Sequence, residues 1–188
     1  MPKTELFNRE EILHKCADLF HRKGYNATSM QDLVDTTNLN RSSLYNSFGN
    51  KRGIYVESLK FYKDKSSQSV QSFLLDSKTP LSALESIFNY AINSGKNGCL
   101  LSNCATEMAN MDEGIKRFLE HNGDQMEELF ENIVTKGQLN GNFNYKRTAK
   151  EYATYLFSAL QGIRVTSMIT DNKSKLDSLV KTTLSILY

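Results

Sequence analysis

Apolar residues recur at helical spacing along almost the whole chain, and polar residues fill the positions between them. The first stripe is preceded by Asn8, a good helix cap, and followed by Gly24, a residue type that often ends helices. Its members are Ile12, Leu13, Cys16, Leu19 and Phe20. Few β-branched residues alternate with polar ones, so the pattern predicts an all-α protein.

Longer stripes follow in the rest of the chain. Asn50 is expected to cap a long helix that runs to about Asp76, and Pro80 to begin a helix that ends at Gly95. A short apolar helix and three long helices are expected within residues 98–109, 112–136, 145–170 and 173–187.

Between the first stripe and the long helix, two short helical patterns are separated by a break at Asn38, a residue type that tolerates a positive φ. Thr28 or Ser29 can cap the first of these helices. The apolar and aromatic positions of the pair are Met30, Leu33, Val34, Leu44, Tyr45 and Phe48. The second helix leaves polar residues outside, namely Arg41, Ser42, Ser43, Asn46 and Ser47. This arrangement predicts a helix-turn-helix whose second helix lies in a major groove of DNA.

Two of the exposed side chains match the chemistry of base edges. Arg41 can donate two hydrogen bonds to guanine, and Asn46 can pair with the edge of adenine. Ser42 and Ser43 are exposed polar neighbours in the same half of the helix. The alternative is that Arg41 and Asn46 are only solvated polar residues on a helix surface.

The segment resembles the N-terminal motif of the tetracycline-repressor (TetR) family of transcriptional regulators. The resemblance rests on the order Thr28-Ser29-Met30, Leu44-Tyr45 and Phe48-Gly49-Asn50-Lys51, and the matching part covers roughly residues 8–60. It implies that Thr28, Ser29, Tyr45 and Lys51 contact phosphates. Ser47 stands where the family often has His, and Asn38 where it usually has Gly.

With this resemblance, the expected fold is an N-terminal three-helix bundle with a helix-turn-helix, followed by a C-terminal helical domain, about nine helices in all. Residues 1–50 would form the DNA-binding domain and residues 51–188 the ligand-binding and dimerisation domain. The last two helices resemble the family's dimer element, and small residues such as Gly162 would allow a partner helix to approach closely. A homodimer would bind a palindromic double-stranded operator. The alternative is that these helices close the core of a single chain.

The interior of the C-terminal helices is the expected site for a small-molecule effector, because aromatic and Met side chains adapt to apolar ligands. Plain core packing is the alternative for each of these residues. Glu107 stands among apolar neighbours and would bind either a polar ligand atom or a backbone donor. The candidates are Phe61, Tyr62, Phe88, Ile92, Cys104, Glu107, Met108, Met111, Phe130 and Tyr155.

The three cysteines, Cys16, Cys99 and Cys104, are too few and odd in number for a disulfide framework. No basic residue stands beside Cys99 or Cys104 to lower the pKa of a thiol, which favours buried, inert thiols. Some relatives sense electrophiles or oxidants through a cysteine, so that role stays open for both residues.

Composition bears on the expected partners of the protein and on its location in the cell. The net charge of +2 says little about partners, so affinity for DNA must come from the placement of Lys and Arg. The sequence shows no signal peptide and no long apolar span, so a cytoplasmic protein without a membrane partner is expected. His14 and His21 lack a third ligand nearby, so neither a metal site nor a cofactor is expected.

The usual catalytic motifs of phosphate-binding loops, nucleophile elbows and zinc proteases do not occur in the sequence, which argues against an enzyme. The expected function is that of a DNA-binding transcriptional regulator, a repressor released from its operator by an apolar or reactive ligand. Two alternatives stay open. One is a transcriptional activator, and the other is an all-α small-molecule binding protein with a vestigial helix-turn-helix.

Overall fold

The computed structural model describes residues 7–93 and 97–188, and within these ranges it contains nine α-helices and no strand. The predicted all-α fold is therefore confirmed. The helices are α1 (Arg9–Lys23), α2 (Met30–Thr37), α3 (Arg41–Phe48), α4 (Lys51–Asp76), α5 (Pro80–Asn93), α6 (Leu100–Met108), α7 (Glu113–Leu139), α8 (Ala149–Ile169) and α9 (Lys173–Leu184). The predicted end of the fifth helix at Gly95 lies outside the described residues.

Side-chain caps set the starts of the first three helices. The carboxamide of Asn8 accepts hydrogen bonds from two N–H groups of α1, and the carboxamide of Asn40 accepts one from α3. Ser29 caps α2 in a reciprocal capping box with Asp32. Asn38 ends α2 with a φ of 58°, so the sharp turn between α2 and α3 forms without glycine.

Helix ends in the second half of the chain differ from the prediction by a few residues. The eighth helix begins at Ala149 rather than near residue 145, because Thr148 and Glu151 form a capping box at that point. Helix α7 continues to Leu139, beyond the expected end at 136. Helix α9 ends at Leu184 and is followed by a 3-10 turn, Ser185–Leu187.

The chain divides into two compact units. The first comprises Met1–Gln68 and Leu100–Lys116, and the second comprises Ser69–Cys99 and Arg117–Tyr188. Helices α1, α2, α3 and α6 thus belong to the first unit, and α5, α8 and α9 to the second. The assignment of DNA binding to residues 1–50 and of ligand binding to residues 51–188 stays a prediction.

The first unit is built around α1, which packs against α2 and α6, while α2 also packs against α3. Phe20 lies at its centre, with its ring 4.8 Å from that of Tyr55 in an edge-on arrangement. Other fully buried side chains come from every helix of the unit and include Leu33, Leu44, Ile54, Leu59, Leu100 and Ile115. This core fixes the orientation of the two short helices, α2 and α3.

The second unit has a core of its own between α5, α7, α8 and α9. Phe88 and Phe130 stack at a ring-centroid distance of 6.1 Å in its centre. Aliphatic side chains surround this pair, including Leu84, Val134, Leu156, Leu160, Val180 and Leu184. Burial of this apolar surface is the main source of stability for a helical bundle of this kind.

Close packing at Gly137 supplies a test of this core. A Cβ atom at Gly137 would lie 2.0 Å from Cδ2 of the buried Phe143 ring, so an added methyl group forces the ring or helix α7 to move. We expect Gly137→Ala to lower the free energy of unfolding by about 1–3 kcal/mol, measured by urea denaturation.

Gly123 is the matched control in the same helix. A Cβ there would meet the Phe157 ring at 3.5 Å, an ordinary contact, so Gly123→Ala gains helix propensity and stabilises the protein by up to about 1 kcal/mol. Equal stabilisation by both substitutions would contradict the packing described here.

None of the helices within the described ranges is both long enough and apolar enough to cross a membrane.

Candidate nucleic-acid interface

Helix α3 presents a continuous polar face to solvent. Arg41, Ser42 and Asn46 are exposed, and Tyr45 is 41% exposed, whereas Ser43 is half-buried. The opposite face is anchored by Leu44 and Phe48, which are buried. Because residues three and four apart share one face of a helix, four of the side chains predicted to contact DNA lie side by side.

The guanidinium of Arg9 on α1 reinforces this anchor. It lies 4.4 Å from the centroid of the Phe48 ring, a cation–π geometry, and 3.7 Å from a carboxylate oxygen of Glu57 on α4. Arg9 thereby ties α1 and α4 to the end of α3. The sequence pattern gave no sign of this contact, because the three residues are far apart in the chain.

Ser29 is engaged in capping α2. Its N–H and its hydroxyl both donate to the carboxylate of Asp32, at 2.7 Å each, and the hydroxyl accepts from the N–H of Asp32. The ammonium of Lys23 lies 2.7 Å from the same carboxylate. The hydrogen bond from Lys23 and those from Ser29 hold the pKa of Asp32 well below its usual range.

Thr28 lies in the turn between α1 and α2, and the side chain of Lys51, at the start of α4, contacts the same turn. Thr28 is buried and its hydroxyl donates to the carbonyl of Gly24 at 2.6 Å. The ammonium of Lys51 donates to the carbonyls of Tyr25 and Thr28, at 2.9 and 2.8 Å, and lies 4.3 Å from the centroid of the Tyr25 ring. An ammonium has three N–H donors, and Lys51 uses two of them to bind these carbonyls. Contact between its ammonium and a DNA phosphate stays a prediction.

The residues predicted to bind a ligand are divided between the two units. Phe88, Ile92, Phe130 and Tyr155 belong to the second unit. The other six belong to the first unit, namely Phe61, Tyr62, Cys104, Glu107, Met108 and Met111. Tyr155 is 46% exposed and Met111 is 68% exposed, so neither lies in the interior of its unit. Ligand contact by all ten stays a prediction.

Several of these residues already have partners inside their unit. The rings of Phe61 and Tyr62 contact those of His14 and His21 edge-on, at 6.1 and 5.5 Å between centroids. Glu107 accepts hydrogen bonds from two backbone N–H groups, those of Tyr25 and Asn26. Of the two options that the sequence left for Glu107, the structure shows the backbone donor.

Ile92 borders a cavity in the second unit, between the ends of α5 and α8 and the start of α9. Its volume is about 680 Å³, within the range of small-molecule sites. The lining is mostly polar and comprises Asn89, Ile92, Asn93, Ser167, Thr170, Asp171, Lys173, Leu176 and Asp177. The lining therefore offers a ligand both hydrogen-bonding groups and apolar contacts.

All three cysteines are buried. Burial raises the pKa of Cys16 to about 12 and that of Cys104 to about 11. The thiolate, rather than the thiol, reacts with electrophiles and oxidants, so these groups are poor nucleophiles at neutral pH. Within the described ranges, His, Cys, Asp and Glu form no group of three that could hold a metal ion.

Thiol labelling tests this arrangement. We expect Cys104 in the folded protein to react with iodoacetamide at pH 7 at least about a hundredfold more slowly than a free cysteine, because the thiolate fraction falls tenfold per unit of pKa. Mass spectrometry of modified peptides measures the rates, and the urea-unfolded chain is the control. Labelling of Cys104 at the same rate in the folded and unfolded chains would contradict its burial.

A helix-turn-helix with an exposed polar second helix, carried on an all-α scaffold, defines a DNA-binding transcriptional regulator. Residues 12–57 match the family model described as bacterial regulatory proteins, tetR family. Residues 81–183 match the model described as tetracyclin repressor-like, C-terminal domain. The chain belongs to the TetR family.

Similar proteins extend over the full length of the chain. The chain is 25% identical to the uncharacterized HTH-type transcriptional regulator YezE of Bacillus subtilis over 193 aligned positions, covering 100% of both chains. It is 26% identical to the HTH-type transcriptional repressor ComR of Escherichia coli, covering 98% of this chain and 90% of ComR.

Solved structures share the fold. A TetR family regulator from Cytophaga hutchinsonii superimposes with a TM-score of 0.86 at 19% identity, covering 95% of this chain and 92% of that one. A cysteine mutant of the TetR family regulator CifR, complexed with a 26-base-pair operator duplex, superimposes with a TM-score of 0.84 at 21% identity, covering 100% of both chains.

Proposed function

We propose that this regulator is a homodimeric repressor that binds a palindromic operator through the exposed face of α3 and leaves it when a small-molecule effector binds. The proposal places the protein in the bacterial cytoplasm, where operator DNA is found, and it involves no catalysis. The relatives ComR and DhaR are named as repressors, which favours repression over activation for this chain.

The main support for a homodimer is a stripe of exposed residues along one face of α8. Val165 is 55% exposed and Ile169 is 82% exposed, although both are large aliphatic residues on a helix of the second unit. At Gly162 on the same helix, a Cβ would meet no atom within 4 Å. These residues continue a series spaced by three and four positions, which comprises Tyr155, Ser158, Gly162, Val165 and Ile169.

A series with this spacing lies on one face of a helix. Small residues in the middle and apolar residues at the ends let a second helix approach closely and exclude water. A second copy of α8 fits this stripe, because a two-fold axis brings the same patch of two chains together. Two α3 helices would then face successive major grooves of one duplex, about 34–36 Å apart.

The effector is proposed to bind in the C-terminal part of the chain. Its differential affinity for the DNA-bound and released states would set the loss of operator affinity. The polar cavity beside Ile92 is one candidate site, and its Asn, Ser, Thr, Asp and Lys side chains fit a ligand with several hydrogen-bonding groups.

Selection from a random duplex library tests the DNA-binding part of the proposal. We expect the retained sequences to share two inverted half-sites, with centres about 10 base pairs or a multiple of that apart. Retention should fall as salt rises, since phosphate contacts release counterions. Retention of duplexes without any shared sequence would contradict the proposal and favour the alternative of a small-molecule binding protein.

A reporter assay separates repression from activation. The selected operator is placed over a constitutive promoter, and reporter output is compared with and without the regulator. The proposal predicts lower output with the regulator present and recovery when a metabolite library supplies the effector. Higher output with the regulator present would mean activation.

A further inference from the structure

We infer that Glu107 on α6 is a positioning residue for operator recognition, an inference that rests on the proposed function of α3. The carboxylate holds the turn between α1 and α2 from a point more than eighty residues further along the chain. Oε2 accepts from the N–H of Tyr25 at 2.9 Å, and Oε1 accepts from the N–H of Asn26 at 2.7 Å. Each oxygen therefore takes one of two successive backbone donors.

The turn is shaped to receive this carboxylate. Gly24 has a φ of 80°, and a Cβ atom there would lie 3.2 Å from Oε2 and 3.3 Å from Oε1 of Glu107. Glycine thus provides both the backbone conformation and the space that the carboxylate occupies. Any larger residue at position 24 would push on the group that holds the turn.

Lys51 binds the same turn through its carbonyls. Its ammonium donates to the carbonyls of Tyr25 and Thr28, so the backbone of Tyr25 is bound at its N–H by a carboxylate and at its carbonyl by an ammonium. Charge-assisted hydrogen bonds of this kind are about twice as strong as neutral ones. The turn leads directly into α2, which packs against α3, so its position sets that of the recognition helix.

A second carboxylate from the same segment contacts the start of α4. Asp112 caps α7 by accepting from the N–H groups of Gly114 and Ile115, and it also forms a salt bridge with Arg52. These contacts hold the pKa of Asp112 well below its usual range, the hydrogen bond from Arg52 contributing most. The segment from Leu100 to Lys116 is thus attached at two points, through Glu107 to the turn before α2 and through Asp112 to the start of α4.

Glu107→Gln is the most direct test, because the side chain keeps its size while one acceptor oxygen becomes a donor that faces a backbone N–H. We expect amide exchange at Tyr25 and Asn26 to speed up by roughly 10- to 100-fold. The affinity for a duplex selected by the wild-type protein should also fall, because a turn that is no longer held in place shifts α2 and, through their packing, α3. Affinity for a scrambled duplex and the dependence of binding on salt should stay the same, since no phosphate contact is removed.

Glu128→Gln is the matched control, because Glu128 is an exposed carboxylate on α7. It should change neither the exchange rates nor the affinity. All proteins are compared in conditions where urea denaturation shows them folded. If Glu107→Gln does not fold, amide exchange is measured on the wild-type protein alone. We then expect the amides of Tyr25 and Asn26 to exchange at least about tenfold more slowly than in the unfolded chain.

Unchanged exchange at Tyr25 and Asn26, or faster exchange with undiminished affinity for the selected duplex, would overturn the inference. Equal losses for the selected and scrambled duplexes would also overturn it, because they would show a general loss of folded protein. If the wild-type protein selects no duplex at all, the proposed function itself fails. The exchange rates, which need no DNA, then still report whether the carboxylate holds the turn.

Discussion

Replacing both Arg41 and Asn46 by alanine is expected to abolish selection among duplexes while the fold stays intact. Both side chains are exposed on α3, so their removal leaves no cavity. Each bidentate contact to a base edge discriminates by about 1–3 kcal/mol, so the double variant should lose at least roughly 30-fold in preference for the selected duplex. Fluorescence anisotropy with selected and scrambled duplexes measures this ratio.

The control replaces Arg117 and Asn132, which are exposed on α7, by alanine. It removes the same charge and the same carboxamide away from α3. A double α3 variant that discriminates between duplexes as well as this control does would show that bases are read elsewhere on the protein.

Val165→Glu is expected to separate the dimer into single chains. By symmetry it would place two carboxylates in the stripe on α8, and burying an unpaired charge costs several kcal/mol. We expect the dimer dissociation constant to rise at least about a hundredfold, measured by sedimentation. Operator affinity should fall with it, because one chain can fill only one half-site.

Thr135→Glu on α7 adds the same charge at an exposed helical position outside the stripe and should leave the dimer intact. A Val165→Glu protein that still sediments as a dimer would place the interface on another surface. One that sediments as a single chain and yet binds the operator normally would remove the need for a dimer.

The sequence predicted the parts of the fold that depend on local patterns. Apolar periodicity identified the helices, and the caps at Asn8 and Asn50 and the left-handed residue Asn38 are where the sequence placed them. The start of α8 was wrong by four residues, although the signal was present. Thr148 and Glu151 have the spacing of a capping box, which marks the start of the helix at Ala149.

Most of the exposed face of α3 was equally predictable, because eight residues of one helix share a single periodicity, although Ser43 and Ser47 are half-buried rather than exposed. Contacts between distant segments were not. Lys51 fits a phosphate-binding position of the family, and only the structure shows it bound to the carbonyls of Tyr25 and Thr28. Glu107 stood among the ligand candidates because nothing in the sequence links it to Tyr25 and Asn26. A hydrogen bond between residues so far apart follows from tertiary packing and has no local signal.

We propose that two copies of this chain present two α3 helices to one duplex. Native mass spectrometry of the protein mixed with its selected duplex measures how many chains bind each duplex. We expect one species with two chains and one duplex, which disappears when either half-site is scrambled. A complex of one chain per duplex that survives loss of a half-site would contradict it.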